Sequence, residues 1–320
     1  MESLRAGGIL KITALYRYVG ILAYDGLGQA RYPSGPSTCK ALKMRSDEPF
    51  DDAGYRLAGR GREEAESERL ALLELIFDPL SRQRRSLVQP GWRCLEVGAG
   101  RGSMAVWLAK RVGDKGHVVA TDIDVSYLKS LNLTNLEVHQ HNMLDDPLDA
   151  LVPGSFDLVC SRLLLFWLAG KQETAIRRMV ECLRPGGWLV DEDGDWGMVL
   201  PVDPSHPLST KYDAVWEGGE WWASRGYDPV FGRKLPVLFE HCGLENIRHE
   251  ANTEVVRGGS SWARWWHETL EGIRACEQSA GSLTAAQEKG YKVLTAPLAD
   301  PSFWFMTGLL HACWGQRPGD

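Results

Sequence analysis

The chain has 320 residues, a formal net charge of −6 and 44% hydrophobic residues, which is enough to bury a large core and excludes a largely disordered protein. The acidic balance, with no obvious basic patch, disfavours a nucleic-acid partner. The seven cysteines form no C-x-x-C pair, which argues against a zinc site or a disulfide framework and favours a cytoplasmic location.

Residues 1–50 are predicted to form an N-terminal extension ahead of a main domain at residues 51–320. The apolar stretch from Gly8 to Tyr24 is short and is interrupted by basic residues, so we expect neither a membrane span nor a signal peptide. The extension is compatible with a helix that covers the core, with a contact between copies of the chain, or with sequence upstream of a start at Met44. The sequence therefore leaves open whether the protein forms a homo-oligomer.

The main domain begins with a predicted helical layer. The acidic run from Glu63 to Glu68 leads into the segment from Arg69 to Phe77. The apolar spacing of that segment predicts an amphipathic helix that ends before Pro79.

A glycine turn follows the first predicted strand, Trp92 to Leu95, and leads into a predicted helix from Met104 to Lys110. Gly98, Gly100 and Gly102 in this turn let backbone N–H groups and a bare Cα surface approach a ligand closely. The spacing is G-x-G-x-G, whereas a dinucleotide fingerprint needs G-x-G-x-x-G. The turn therefore indicates a nucleotide-like ligand and disfavours a nicotinamide oxidoreductase.

Three further strands are predicted after the turn. The strand from Val118 to Asp122 ends in an acid about 20 residues after the glycines, which places Asp122 to accept both hydrogen bonds of a ribose diol. Ile123 offers an apolar surface to one face of adenine. The third strand is predicted at Leu136 to His139, and the fourth at Ser155 to Arg162.

The second half of the chain predicts a fifth strand and an insertion. Pro185 and the Gly186-Gly187 turn end a helix, and the strand then runs to Asp191 and opens into an acidic loop up to Trp196. Residues 197–233 predict a lid, because they hold aromatic residues among glycines and prolines. The remaining predicted elements are a helix from Gly232 to Cys242, a sixth strand from Gly243 to His249, helices from Trp262 and from Leu283 to Leu294, and a seventh, antiparallel strand from Phe303 to Trp314.

This order of motifs resembles that of class I S-adenosylmethionine-dependent methyltransferases, and from about Tyr55 to Pro318 the chain is similar to actinobacterial small-molecule methyltransferases of the ubiquinone-type branch. The resemblance implies an α/β fold with a Rossmann-like seven-stranded sheet, helices on both faces and a helical lid insertion. It also implies S-adenosylmethionine as the cofactor. The residues that match the family's cofactor-binding positions are Tyr55, Glu96, Gly98, Gly100, Asp122, Ile123, Asn142, Met143 and Ser161.

Two positions depart from the family's pattern. Asn142 stands where relatives usually carry Asp, and its side-chain oxygen would meet the adenine amine while Met143 packs on the ring. Relatives also often carry a His a few residues after Arg162, where this chain has Phe166-Trp167-Leu168. The usual candidate for a general base is therefore missing.

Methyl transfer from a sulfonium is an in-line displacement, so holding the acceptor against the methyl carbon supplies most of the catalysis. A base is needed only when the acceptor loses a proton. The candidate bases are His206, His267, Glu192 and Asp195. A solvated strand-end loop explains the acidic residues near Asp191 as well as a metal site does, so we predict no metal.

The acceptor is predicted from the tryptophans, of which the chain has 13. Seven lie in the insertion or the C-terminal part: Trp216, Trp221, Trp222, Trp262, Trp265, Trp266 and Trp304. Aromatic walls suit flat or apolar molecules. We therefore expect a bulky aromatic or terpenoid small molecule of secondary metabolism, methylated on O or N and contacted by Trp196 and Trp222. C-methylation of an electron-rich carbon or alkene and a non-catalytic cofactor-binding protein are the alternatives.

Overall fold

The computed structural model describes residues 62–168, 170–209 and 227–319. Several predictions lie outside the described residues. They concern residues 1–50, Tyr55, Trp216, Trp221 and Trp222. Of the predicted lid, the structure describes residues 197–209 and 227–233.

Within the described residues the chain forms helices α1 to α6 and strands β1 to β10. The helices are α1 Glu63–Arg84, α2 Ser103–Val112, α3 Gln172–Cys182, α4 Leu235–His241, α5 Ser261–Ser279 and α6 Ala285–Ala299. The strands are β1 Arg93–Val97, β2 His117–Asp122, β3 Leu136–Gln140, β4 Phe156–Arg162, β5 Leu183–Asp195, β6 Leu200–Pro201, β7 Glu245–Asn252, β8 Val255–Arg257, β9 Trp304–Met306 and β10 Leu309–Gln316.

Seven of these strands form one sheet in the order β3-β2-β1-β4-β5-β10-β7. The pairs from β3 to β5 are parallel, whereas β10 runs antiparallel to both β5 and β7. Val97 lies opposite Thr121 on one side and Ser161 on the other, so β1, β2 and β4 end at the same edge of the sheet. The predicted Rossmann-like sheet with an antiparallel seventh strand is confirmed.

The central strands are apolar on both faces, as parallel strands covered by helices require. Leu95 of β1 and Val159 of β4 are fully buried. On one face, Ala105 and Leu108 of α2 pack in a cluster that includes Cys94 of β1. Helix α3 contacts β4 and β5. The helices thus hold the strands in fixed positions at the edge where β1, β2 and β4 end.

Helix α1 is longer than predicted, because it continues through Pro79 to Arg84. Proline inside a helix removes one backbone hydrogen bond and costs about 3 kcal/mol. Pro79 is exposed, and Leu75, whose carbonyl loses its partner, is 64% exposed. The break therefore lies on the exposed face of the helix, while the buried side chains of Ser81 and Arg84 anchor the last turn.

Strand β5 is also longer than predicted, because the expected acidic loop continues the strand as far as Asp195. Leu309 of β10 pairs opposite Asp195, so hydrogen bonding to β10 extends over these residues. Asp191, Glu192 and Asp193 are fully buried and Asp195 is 1% exposed. The prediction of a solvated loop was wrong, since each carboxyl group has a partner supplied by a distant part of the chain.

The predicted seventh strand is divided into β9 and β10. Strand β9 pairs with β6 and β8 in a separate three-stranded sheet, and β10 joins the main sheet. Gly308 lies at the division, where a Cβ atom would come within 2.6 Å of the Trp196 ring. A glycine here lets the chain pass the indole and change sheets. No helix in the described ranges is long and apolar enough to span a bilayer.

Candidate active site

A cavity lies at the edge of the sheet where β1, β2 and β4 end. Its lining includes the glycine turn after β1, the residues after β2, the loop after β4, and side chains of α1 and α5. This is the crevice at the carboxyl ends of parallel strands, where open α/β sheets bind ligands.

The glycine turn has the geometry that its sequence predicts. Gly98 and Gly100 have φ values of 73° and 56°, in the left-handed region that favours glycine. A Cβ atom on Gly98 would lie 3.2 Å from the Leu164 side chain, so the cavity wall leaves little room there. The Gly98 N–H donates to the Thr121 carbonyl at 2.8 Å, which fixes the turn on the end of β2.

Asp122 is positioned by two backbone bonds. Its Oδ2 accepts from the Gly100 N–H at 2.8 Å, and its Oδ1 accepts from the Asp124 N–H at 3.0 Å. Burial raises the pKa of Asp122, and these two hydrogen bonds oppose that rise. Each oxygen keeps a further lone pair, so the carboxylate can accept two hydroxyl groups from a ligand. Ile123 lies beside it in the lining.

Glu96 lies in the same lining and is 7% exposed. Burial raises its pKa to about 8, although Arg85 and Arg162 favour the charged form. Its Oε2 has no hydrogen-bond partner among the described residues. The carboxyl group thus lacks a hydrogen-bond partner for one buried oxygen, which favours a cationic ligand group beside it.

A buried polar network surrounds Arg162 and was missed from the sequence. Arg162 Nη2 donates to Asp78 Oδ1, and its Nη1 donates to Ser81 Oγ, both at 2.9 Å. Ser81 Oγ in turn donates to Glu192, which also accepts from Arg85 Nη1 at 2.9 Å. The network joins α1, β4 and β5, so it holds the Arg162 guanidinium in the cavity wall. The run of acids at the end of β5 was the signal available in the sequence.

Three of the predicted cofactor residues lie outside the cavity lining. The Asn142 side chain accepts from the Leu144 N–H at 2.9 Å and donates to Asp145 at 3.0 Å. Met143 is 5% exposed. Ser161 is 1% exposed and donates its hydroxyl hydrogen to Asp191.

The candidate bases are not brought together, and none of them lines the cavity. His206 packs against the Phe303 ring with 5.3 Å between centroids, and the His267 ring lies 3.3 Å from Glu268. Asp195 accepts from Arg233 Nε. Burial favours its neutral form, but contacts with His311 and Arg233 outweigh burial and lower the pKa of Asp195. Glu192 is held in the network around Arg162.

The aromatic residues form two layers. Phe166, Trp167 and Trp265 line the cavity. Trp196 is 2% exposed and packs behind them, with 6.1 Å between its ring centroid and that of Phe166 and 5.7 Å to that of Trp265. Trp262 extends the same cluster. Trp196 therefore packs in the core, where it supports the residues that line the cavity.

No group of three or more His, Cys, Asp or Glu side chains that could hold a metal ion occurs among residues 62–168, 170–209 and 227–319. The buried acids of β5 are instead bonded to hydroxyl, guanidinium and backbone N–H groups. Hydrogen-bond donors of these kinds are typical of a structural network.

Comparison with known proteins gives one family model, described as a methyltransferase domain, which matches residues 94–187. Methyltransferase str3 of Strobilurus tenacellus is 32% identical over 149 residues, which cover 46% of this chain and 51% of that protein. The ubiquinone/menaquinone biosynthesis C-methyltransferase UbiE of Vibrio parahaemolyticus is 31% identical over 133 residues, covering 39% of this chain and 48% of that protein. The chain thus spans about half the length of the curated relatives it matches.

Among solved structures, a cyclopropane-fatty-acyl-phospholipid synthase-like protein from Lactobacillus casei aligns with a TM-score of 0.50. The two sequences are 15% identical, and the alignment covers 83% of this chain and 98% of that one. At this identity the match shows a shared fold.

Proposed function

We propose that this chain, a class I S-adenosylmethionine-dependent methyltransferase, transfers the methyl group to an oxygen or nitrogen atom of a bulky, uncharged aromatic or terpenoid small molecule in secondary metabolism. The observation that carries the proposal is the division of one cavity into a polar half and an aromatic half. The methyltransferase relatives from a fungus are compatible with such a product.

In the polar half, Asp122 takes the ribose diol and Ile123 packs on adenine. The bare backbone of Gly98 and Gly100 lies along the methionine chain, and Glu96 receives the ammonium group. This assignment uses the paired oxygens of Asp122 and the free oxygen of Glu96. The roles of Tyr55, Asn142, Met143 and Ser161 stay predictions.

In the aromatic half, the wall of Phe166, Trp167 and Trp265 offers large flat surfaces. The three guanidinium groups that line the described cavity are already engaged. Arg69 forms two bonds to Glu66, Arg101 donates to the Ser67 carbonyl, and Arg162 lies in the buried network. Arg101 keeps its charge and further N–H donors, but acidic side chains outnumber guanidinium groups in the described lining by five to three, which disfavours an anionic acceptor and supports an uncharged one.

An acceptor hydroxyl also needs a base if it loses its proton before attack. The described lining contains no histidine, and burial raises the pKa of its Tyr127 hydroxyl, which leaves a carboxylate or solvent as the better base. Glu74 of α1 is half-buried in the lining, and burial raises its pKa above the usual glutamate value. Because a raised pKa makes a carboxylate a stronger base, Glu74 is better placed for this role than His206, His267 or Asp195.

C-methylation is the second candidate, because the named Vibrio relatives are C-methyltransferases. An electron-rich carbon would attack the methyl carbon as its bond to sulfur breaks and the thioether leaves, and a base would then take the proton from the methylated carbon. Methylated product from a large preparation, analysed by two-dimensional NMR, distinguishes a C-methyl group from an O-methyl or N-methyl group by its carbon shift.

The proposal is tested with deuterium-labelled cofactor and a pool of plant, fungal and bacterial metabolites. We expect mass spectrometry to show an uncharged aromatic or terpenoid compound that gains one trideuteromethyl group, and Glu74→Gln to slow its formation. Binding of S-adenosylmethionine without any labelled product would favour the non-catalytic alternative. Binding of NAD(H) in place of S-adenosylmethionine would contradict the family assignment.

A further inference from the structure

The loop between β4 and α3, residues Leu163 to Trp167, builds much of the aromatic wall. Leu163 has a φ of 52°, a left-handed conformation that residues with a side chain rarely adopt. A single helical turn, Leu165–Trp167, follows and presents Phe166 and Trp167 to the cavity. Such a backbone persists only when its surroundings over-determine it.

Strand β5 supplies the bonds that determine this loop. The Leu163 N–H donates to the Glu192 carbonyl at 2.7 Å, and the Phe166 N–H donates to Asp193 Oδ2 at 3.0 Å. The first N–H groups of a short turn have no partner within the turn, so a side-chain oxygen is needed to satisfy them. Asp193 is that acceptor.

Asp193 itself is tightly enclosed. It is fully buried and lies opposite His311 in the pairing of β5 with β10. Gly232 approaches so closely that a Cβ atom on it would lie 2.4 Å from the Asp193 carbonyl oxygen. Asp193 Oδ1 also accepts from the Gly194 N–H at 2.8 Å. The carboxyl group therefore has a fixed place from which to hold the loop.

We infer that Asp193 is a positioning residue for the acceptor site: its carboxyl group fixes the Phe166 backbone and, through it, the wall on which the acceptor stacks. The inference rests on the proposed function for the identity of that wall. Asp193 does not line the cavity, so it acts through the loop.

The chemistry of Asp193 predicts which substitutions it tolerates. Burial, with a further contribution from Asp191, raises the pKa of Asp193 well above its usual value. The Phe166 N–H needs one well-placed acceptor oxygen, which the carboxyl group supplies in either protonation state. Asparagine keeps one oxygen for the Phe166 N–H and gives up only the local bond from the Gly194 N–H, whereas alanine lacks an acceptor and serine is too short to reach the Phe166 N–H.

The test compares Asp193→Ala, Asp193→Ser and Asp193→Asn with a matched control, Thr307→Val. Thr307 is 3% exposed, and its Oγ1 accepts the Glu254 N–H at 3.0 Å, outside the cavity lining. It too is a buried side-chain oxygen that binds a distant backbone N–H. The rate of backbone hydrogen exchange in residues 163–167 measures how firmly the loop is held. Calorimetry in the presence of S-adenosylhomocysteine measures the affinity for 2-naphthol, a neutral aromatic hydroxyl compound, and so tests whether the aromatic wall is intact.

We expect Asp193→Ala and Asp193→Ser to speed exchange of the segment by about tenfold or more and to weaken 2-naphthol binding about tenfold. S-adenosylhomocysteine affinity should change by no more than about twofold, Asp193→Asn should restore most of the loss, and Thr307→Val should change neither readout. If alanine prevents folding, the serine variant decides.

Unchanged exchange in the folded alanine or serine variant would overturn the inference, as would equal losses of 2-naphthol and S-adenosylhomocysteine affinity. Failure of the wild-type protein to bind 2-naphthol would count against the proposed acceptor class alone. Exchange of the loop would still decide the role of Asp193 in that case.

Discussion

The polar and aromatic halves of the cavity are built in different ways. The polar half is formed by residues close together in sequence, between Glu96 and Arg101, together with Asp122 and Ile123 at the end of the neighbouring strand. The aromatic half joins Phe166 and Trp167 after β4 to Trp265 of α5, which are far apart in the chain. Backbone geometry dominates the first half and side-chain packing the second, so mutations should separate them.

The largest effect is expected in the buried network around Arg162, which supports both halves of the cavity. Glu192 is fully buried and pairs with Arg85 at 2.9 Å, and its other oxygen accepts from Ser81. Glu192→Ala leaves a buried guanidinium without its counter-ion and should lower the free energy of unfolding by about 3–5 kcal/mol. Urea denaturation measures this change. Affinities for S-adenosylhomocysteine and for 2-naphthol should fall together.

The control for this variant is Glu173→Ala, because Glu173 pairs with Arg177 on the exposed surface. Screened surface pairs contribute little, so its urea midpoint should stay at the wild-type value. Equal midpoints for the two variants would show that the buried network does not support the cavity.

The next effect belongs to the polar half alone. Asp122→Ala should weaken binding of S-adenosylmethionine by roughly ten- to hundredfold, since it removes charge-assisted hydrogen bonds, and each 1.4 kcal/mol or so is about a factor of ten. Calorimetry checks it. Asp157→Ala is the control, because Asp157 also accepts a backbone N–H, from Arg93 at 2.7 Å, but lies outside the lining. Unchanged affinity in Asp122→Ala would show that the ribose does not bind at Asp122.

Glu96 should make cofactor binding dependent on pH. Its pKa is raised to about 8 by burial, so it binds a proton in the unliganded protein at pH 6 to 7. An ammonium group favours the carboxylate, so binding releases that proton. Affinity for S-adenosylhomocysteine should therefore rise with pH, by up to about tenfold per unit below the pKa, and level off above about pH 8, where Glu96 is already ionised in the unliganded protein.

Glu96→Gln should flatten this profile, because glutamine does not titrate. The same pKa shift predicts a change in stability. A carboxyl group with a raised folded-state pKa binds more protons when folded, so its contribution is fully present below about pH 4.5 and is lost as pH rises to about 8. A wild-type affinity profile as flat as that of the glutamine variant would place the ammonium group elsewhere.

The smallest effect belongs to the aromatic half. Trp265→Leu shortens the wall and should raise the apparent KM of the acceptor about fivefold, with cofactor affinity unchanged within about twofold. Steady-state kinetics measure it. Trp262→Leu is matched to it, since Trp262 is 5% exposed in the same cluster but lies outside the lining. Both variants should lose stability, and an equal rise in KM for both would show that Trp265 has only a packing role.

Much of the fold and the polar half could be predicted from local sequence. The strand, glycine turn and acid up to Asp122 determine their own geometry through backbone conformation. The course of β5 could not be predicted, because the residues that satisfy Glu192 and Asp193 lie on α1 and in the loop after β4. The sequence also could not distinguish Trp265, which lines the cavity, from Trp262, which lies behind it. The two residues are three positions apart and have the same local composition.

The most direct test of the division of the cavity is a crystal structure of the wild-type protein with S-adenosylhomocysteine. We predict the ribose hydroxyls on the two oxygens of Asp122, the ammonium group at Glu96, and the sulfur atom facing the space beside Phe166 and Trp265. A sulfur atom that faces away from this aromatic wall, or a ribose bound elsewhere than Asp122, would contradict the account.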